Sequence, residues 1–280
     1  MPRLSRSAVP MVLNAAIGAA ALSPGLAHAQ SPGTVEEVEI SAFRLPPAVS
    51  EQLHNTTVVD RSALEQSGGA RLDEILRRVP GFGLFRRQSS RASHPTTQGV
   101  TLRGLGPSGA GRTLVLLDGV PQNDPFGGWV VWSALPSEGI GAANVIRGAG
   151  AGPYGAGALT GVVALTERDT PDGVGAAEVS VSQRSGFRAA AVVGGGGFMA
   201  TLAGSRSDGY YPVAARRRGV ADTRLKMDDL AGALRFQTDL DGVQAAVRLS
   251  AFQVNQEAGL KGARSNANGA SAVVTNRHCA

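Results

Sequence analysis

The 280-residue chain reads as an α+β domain followed by an incomplete antiparallel transmembrane β-barrel of about five strands. Three observations predict this. A secretory leader opens the chain. A middle stretch mixes an amphipathic helix with short apolar strands joined by loops rich in Gly, Ser, Pro and Asn. After residue 171 the pattern changes to period-two segments separated by tight turns and a long polar loop.

The leader comes first. Arg3 and Arg6 form a basic n-region, Val9 to Leu22 is mostly apolar, and Ala27-His28-Ala29 fits a small-x-small cleavage site. Residues 1–29 are therefore expected to be a signal peptide, with Gln30 the first mature residue. The apolar stretch is too short to span a bilayer, and Ser23-Pro24-Gly25 breaks it. Removing Arg3 and Arg6 lowers the formal charge from +5 to +3 (5 − 2). With only the short Arg216-Arg217-Arg218 run and 5% aromatics, nucleic acid is not an expected partner. Cys279 is the one cysteine, so no disulfide forms within the chain. His28 and His278 lie at the ends, and His54 and His94 show no ligand spacing, so no metal site and no cofactor are expected.

Residues 30–47 read as a linker with one extended patch. Val38, Ile40 and Ala42 alternate with Glu37, Glu39 and Ser41, between Pro32 and Pro46-Pro47. Residues 48–166 read as the α+β domain. Asp60 is placed to cap a helix over 61–66. Leu72, Ile75, Leu76 and Val79 recur at i, i+3, i+4 and i+7, and Pro80-Gly81 ends that helix. Strands are expected at 100–103, 113–118, 143–147 and 161–166.

Residues 172–255 are read as strands at Ala177–Gln183, Ala189–Val193, Phe198–Arg206, Asp228–Gln237 and Val243–Val254. In the last, Val243, Ala245, Val247, Leu249, Ala251 and Gln253 point one way. Gln244, Ala246, Arg248, Ser250, Phe252 and Val254 point the other. An apolar wall backed by a mixed polar one suits a strand between lipid and lumen. Gly194–Gly197 and Asp239–Gly242 read as tight hairpins, and Ser207–Met227 as a long polar loop. A soluble antiparallel sandwich stays open at this point. Residues 256–280 lose alternation and are expected to be an irregular tail.

Two motifs suggest nucleotide chemistry, and both fail on physics. Gly106 to Thr113 nearly fits a phosphate loop, but Arg112 stands at the lysine position and a strand follows where a helix is needed. Gly150-x-Gly152-x-x-Gly155 matches a dinucleotide fingerprint, but Pro153 sits inside it and a strand follows instead of a crossover helix. No Ser/His/Asp set and no H-E-x-x-H is present. Asp118 and Asp124 flank a turn and read as capping or solvated carboxylates. No enzyme activity is expected.

Taken together, VEEVEISA (Val35, Glu36, Glu37, Val38, Glu39, Ile40, Ser41, Ala42), LDEILRRVPGF (72–82), VTLRGLG, RTLVLLDGVPQND and ANVIRGAGAGPYGAGALTGVVAL resemble, in order, the TonB-dependent outer-membrane receptors. The resemblance implies a plug domain inside a roughly 22-stranded barrel in the outer membrane of a Gram-negative bacterium. It implies energised uptake of a scarce extracellular small molecule, such as a siderophore or vitamin. The 35–42 segment resembles the TonB box, which TonB recruits as an added strand. Arg103 and Arg147, in the LRG and IRG strand ends, would pair with barrel-wall glutamates, expected mostly beyond the end of this chain, and lock the plug. The apical loops implied are 86–98, with Arg86, Arg87, Arg91 and His94, and 121–132, with Asn123, Asp124, Phe126, Trp129 and Trp132. Cationic and aromatic lining suits an anionic chelate or a sugar-like ligand. Packing between plug and barrel is an equally good reading of Trp129 and Trp132. The box follows the leader almost at once, so a transporter without a signalling domain is expected.

After residue 171 only 109 residues remain (280 − 171), room for about five strands, whereas the smallest barrels use eight. The expectation is a truncated or incomplete receptor that is not transport-competent alone. A soluble periplasmic plug-like binding module without a pore is the alternative.

Overall fold

The computed structural model describes residues 55–278 except 69, 86–87, 103–110, 149–153, 155–156, 171–172, 184 and 241–242. The leader, the 35–42 segment, Arg86, Arg87 and Arg103 lie outside the described residues, as do most residues of the two glycine motifs.

The first part is built on strand β1 (Asn55–Val59), which the sequence reading missed. Asp60 then caps helix α1 (Arg61–Glu65) by accepting from the Ala63 amide at 2.9 Å. Helix α2 (Leu72–Leu76) is shorter than its apolar repeat suggested. Leu72, Ile75, Leu76 and Val79 are all buried, but Val79 sits in the turns that lead to Gly81, whose φ of 86° favours glycine. The short strands β2 (Gly83–Leu84) and β3 (Val100–Thr101) pair with each other.

The main sheet adds β4 (Thr113–Leu117), β5 (Val120–Pro121), β6 (Ile140–Arg147) and β7 (Gly161–Glu167). Its order is β1-β6-β7-β4-β5, with β4 and β7 parallel and the other pairs antiparallel. Asp118 and Gly119 turn the β4–β5 hairpin with φ of 49° and 87°, the two positive values that a twisted two-residue hairpin demands. One face of the sheet packs Val115, Val145, Val163 and Leu165 against Leu72, Leu76, Phe82 and Trp132.

The second part is a wall of six strands in sequence order, each antiparallel to the next. They are β8 (Val174–Ser182), β9 (Gly186–Gly195), β10 (Phe198–Tyr210), β11 (Asp222–Leu240), β12 (Val243–Leu260) and β13 (Arg264–His278). The expectation of about five strands with an irregular tail over 256–280 is corrected here. β12 runs on to Leu260, and β13 pairs with it from Val243↔His278 to Glu257↔Arg264. Ladder hydrogen bonds need no apolar alternation. Asn266 and Asn268 put polar side chains on the outward face, opposite Asn255 and Gln253 of β12, which hid the period. The long loop is also shorter than expected, 211–221, because Tyr210 pairs with Leu225 beyond a bulge.

Period two holds along the wall. Val193, Leu202, Leu234, Leu249 and Val274 are exposed on the face away from the α+β domain, whereas Arg188, Met199, Thr201, Arg235 and Gln256 are buried against it. An outward apolar face with a polar inner face is the partition that lipid and lumen require. Among the described residues no helix is long and apolar enough to cross a membrane.

Candidate functional site

The site is the seam where the α+β domain meets the inner face of the wall. At Ser137–Gly139 the chain makes one 3-10 turn and comes so close that a Cβ on Gly139 would lie 2.9 Å from Thr201 Oγ1. Beside it, Glu138 accepts two bonds from the Arg188 guanidinium, at 2.5 and 2.9 Å. Both side chains are under a tenth exposed. The planar fork fits a carboxylate, so the contact fixes orientation as well as charge.

A second clamp closes at the short-turn end of the wall. Glu167, the last residue of β7, receives Arg248 Nε at 3.0 Å and lies 3.5 Å from Arg235 Nη1. Arg235 also donates to the Arg168 carbonyl at 2.6 Å and lies 3.8 Å from Asp118. Burial pushes the Glu167 carboxyl up, against the opposing pull of Arg248. These groups line a polar cavity of about 280 Å³ with Gln122, Gln237 and Gln244.

The third clamp has the opposite polarity. Arg71, just before α2, reaches the Asp229 carboxylate and Ser205 on the wall, and Ser90 on the domain's own loop. Ser205 also donates to Asp229 at 2.5 Å. Burial lowers the Arg71 guanidinium, with Asp229 opposing. The start of α2 is tied into the same network. The Arg71 amide donates to Glu74 at 2.9 Å, and Glu74 also takes Ser89 Oγ at 2.7 Å and Arg91 at 3.2 Å. Burial works to raise the Glu74 carboxyl, but Arg91, Ser89 and the Arg71 amide together hold it below the ordinary glutamate value. Asp73 accepts the Ser90 amide at 2.9 Å and hydroxyl at 2.7 Å, while burial pushes its carboxyl up. A cleft of about 520 Å³ opens above Arg71, Glu74 and Arg91 toward Arg188, Ser207 and Tyr210 of the wall.

The sequence-predicted candidates divide. Loop 88–98 and loop 122–132 do come together: Gln98 holds the first by donating to the Ser90 and Ser93 carbonyls, and its own carbonyl accepts the Val130 amide. Arg91 lines the cleft. His94 caps a 3-10 turn, its Nδ1 taking the Thr96 amide at 3.3 Å. Asn123 is spent on the loop itself, accepting from Val115 N at 2.7 Å and donating to Thr113 and Gly128 carbonyls. Asp124 likewise closes a turn on the Phe126 and Gly127 amides. Phe126 is 98% exposed at the tip. Trp129 lies over Gly127, where any Cβ would collide with its ring. Trp132 is corrected: it is 1% exposed and packs edge-on to Phe82 at 6.0 Å, so it is core and lines no open surface.

Arg147 donates to the Pro80 carbonyl at 3.0 Å and the Thr57 hydroxyl at 2.9 Å, ties within its own domain. Among the described residues the wall presents arginines and Asp229 to the domain. Glu138, Glu167, Arg71, Arg188, Arg235 and Asp229 were missed. The available signal was a lone arginine at an inward position among small apolar residues, as in GFRAAAVV and AGALRFQ. No group of three or more potential metal ligands exists among the described residues.

Comparison with known proteins fits this geometry. Residues 48–162 match the family described as TonB-dependent Receptor Plug Domain. The vitamin B12 transporter BtuB of Vibrio vulnificus strain CMCP6 is 32% identical over 136 residues, 49% of this chain and 21% of that protein. A probable TonB-dependent siderophore receptor, PirA of Acinetobacter baumannii, is 31% identical over 123 residues, 40% of this chain and 16% of its own. The crystal structure of PirA from A. baumannii superposes with a TM-score of 0.52 at 21% identity, covering 73% of this chain and 32% of that one. The chain thus spans about a fifth of the curated relatives it matches and about a third of that solved chain.

Proposed function

The chain carries the plug domain of a TonB-dependent receptor, and from that premise we propose that it supplies the plug and first wall strands of an outer-membrane receptor for energised uptake. The ligand is a scarce extracellular small molecule of the siderophore or vitamin class, as the names of its relatives suggest. TonB takes Val35–Ala42 as an added strand. Backbone pairing tolerates varied side chains, and Glu36, Glu37 and Glu39 keep the segment from pairing wrongly when free. Arg103 and Arg147 remain proposed locks toward wall glutamates, and Arg86, Arg87, Arg91, His94, Phe126 and Trp129 proposed ligand contacts.

The observation that carries this reading is the seam itself. Buried charge pairs between a folded domain and a wall whose far face is apolar make sense where the wall stands in lipid and the domain sits in its lumen. That outward face also disfavours a soluble periplasmic module, since contiguous exposed apolar surface of this extent marks contact with membrane or protein.

The test is photo-cross-linking in cells. A photoreactive residue at position 38 or 40 is expected to capture TonB, with the chain in the outer-membrane fraction. Ile40→Pro is expected to abolish capture, because proline removes a donor and distorts an added strand. A chain recovered in the soluble periplasm, or capture unchanged by Ile40→Pro, would overturn the reading.

A further inference from the structure

The cavity of about 280 Å³ behind the Glu167 clamp lies wholly on the inner side of the seam. The α+β domain lines it from β4, β5 and β7, and the wall from β11, β12 and β13. A neighbouring cleft of about 320 Å³ shares Asp169, Arg235, Gln237 and Gln244 with it. That cleft reaches Gly197 and Asp239, beside two short turns of the wall, so the cavity has a way in from the short-turn end.

Two buried polar atoms of the lining are not satisfied by the chain. Among the described residues Glu167 Oε2 accepts no hydrogen bond and Arg235 Nε donates none, although both side chains are over nine-tenths buried. Such atoms are costly unless a ligand group meets them. The surrounding charges say which kind of group does. An anion is opposed by Glu167, Asp118 and Asp169, and a cation by Arg235 and Arg248. The guanidiniums are also committed, Arg248 to Glu167 at 3.0 Å and Arg235 to the Arg168 carbonyl at 2.6 Å. No three potential metal ligands gather among the described residues. A hydroxyl meets both orphaned atoms, since it donates to a carboxylate and accepts from a guanidinium. Gln237 and Gln244 add amide donors and acceptors, and Thr275 a hydroxyl. Leu117, Val120, Ala246 and Val273 add apolar patches for the C–H edges of a ring. The volume stands at the small end of the about 300–1,000 Å³ that drug-sized ligands occupy.

We propose that this cavity binds a neutral polyhydroxylated solute the size of one sugar ring, held between Glu167 and Arg235. The site goes beyond the uptake reading. It is remote from the loops proposed to meet the transported ligand, and it needs only the domain docked on the wall. A neutral polyol is favoured over either kind of ion because acids and guanidiniums face the same small space, each opposing one sign of charge.

The test uses the full chain refolded in a zwitterionic detergent without sugar headgroups. Saturation-transfer NMR follows titrations with D-glucose, with glucuronate as the anionic arm and choline as the cationic arm. Glucose is expected to saturate, and both charged probes to bind about tenfold more weakly or worse. Ala246→Phe, which fills the cavity, is expected to abolish saturable glucose binding. Gln244→Leu is expected to weaken it about fivefold, the worth of one neutral hydrogen bond. Should Ala246→Phe fail to refold, Gln244→Leu combined with Thr275→Val carries the same test and is expected to weaken binding about tenfold or more. Tryptophan emission matching wild type reports that a variant is folded. No saturable glucose signal, glucuronate or choline held as tightly as glucose, or wild-type glucose binding by a folded variant would overturn the proposal. A chain that captures TonB in cells yet shows one of these results loses the cavity site alone. A chain that binds glucose here but never captures TonB loses the uptake reading alone.

Discussion

Replacing Glu138 by Gln probes the seam at a buried, bidentate charge pair. The substitution keeps the side-chain shape but removes the charge that faces Arg188. Both side chains are under a tenth exposed, and the native contact is bidentate at 2.5 and 2.9 Å. Removing one partner of a buried pair leaves the other charge uncompensated, at a cost of about 3–5 kcal/mol. The remaining amide oxygen still accepts one bond, so the lower end, about 3 kcal/mol, is expected here. That is a factor of roughly 150 in the docked fraction. The assay is a urea titration of the refolded chain in a Trp129→Phe background, so that emission comes from Trp132 alone, which is buried in the domain core and whose 3-10 turn contacts β11 and β12. The double variant Glu138→Gln with Arg188→Met is expected to recover most of the loss, because no buried charge remains. A single-variant effect under about 0.5 kcal/mol, or a double variant no better than the single, would refute the claim that this pair holds the domain to the wall.

Three further outcomes follow from the same geometry. Asp229→Asn should loosen the start of α2 by about 2–4 kcal/mol, since Arg71 loses its countercharge in a buried setting; amide exchange at residues 70–76 reads it, and protection equal to wild type would contradict it. Gly161→Ala should be among the most damaging single-methyl additions, because Gly161 has φ of 144° and a Cβ there would sit 2.2 Å from the Ile146 carbonyl; a melting temperature unchanged from wild type would show that β6 and β7 can part there. Glu74, held below the ordinary value of 4.5, contributes stability that is present above that value and is lost as pH falls through its lower folded value. The stability gap between wild type and Glu74→Gln should therefore be open at pH 7 and close in strongly acidic solution, and a gap that widens on acidification would reverse the sign argued here.

Local chemistry was legible in the sequence. The apolar spacing of Leu72, Ile75, Leu76 and Val79, the Asp60 cap, the Gly196-Gly197 turn and the alternation of β12 are each decided within a few neighbouring residues. What needed distant partners was not legible. β1 has no amphipathic period of its own and exists because β6 lies beside it. β13 carries Asn at outward positions and is recognisable only through its ladder with β12. The seam joins residues far apart in the chain, fifty positions for Glu138 and Arg188 and 158 for Arg71 and Asp229, so no local window contains it. An aromatic in a glycine-rich loop gives no sign of which way it faces, which is why Trp132 read as a ligand candidate although it fills the core.

The central claim is that β8–β13 form a membrane wall with the plug on its inner face. Nitroxide scanning along β12 tests it most directly, with Cys279→Ser removing the native thiol and single cysteines placed from Ala245 to Phe252. In bilayers, oxygen accessibility should peak at Val247, Leu249 and Ala251, while Arg248 and Ser250 stay shielded from both oxygen and a water-soluble nickel reagent. Nickel reaching Val247 and Leu249 as freely as solvent, or accessibility without a two-residue period, would contradict the account.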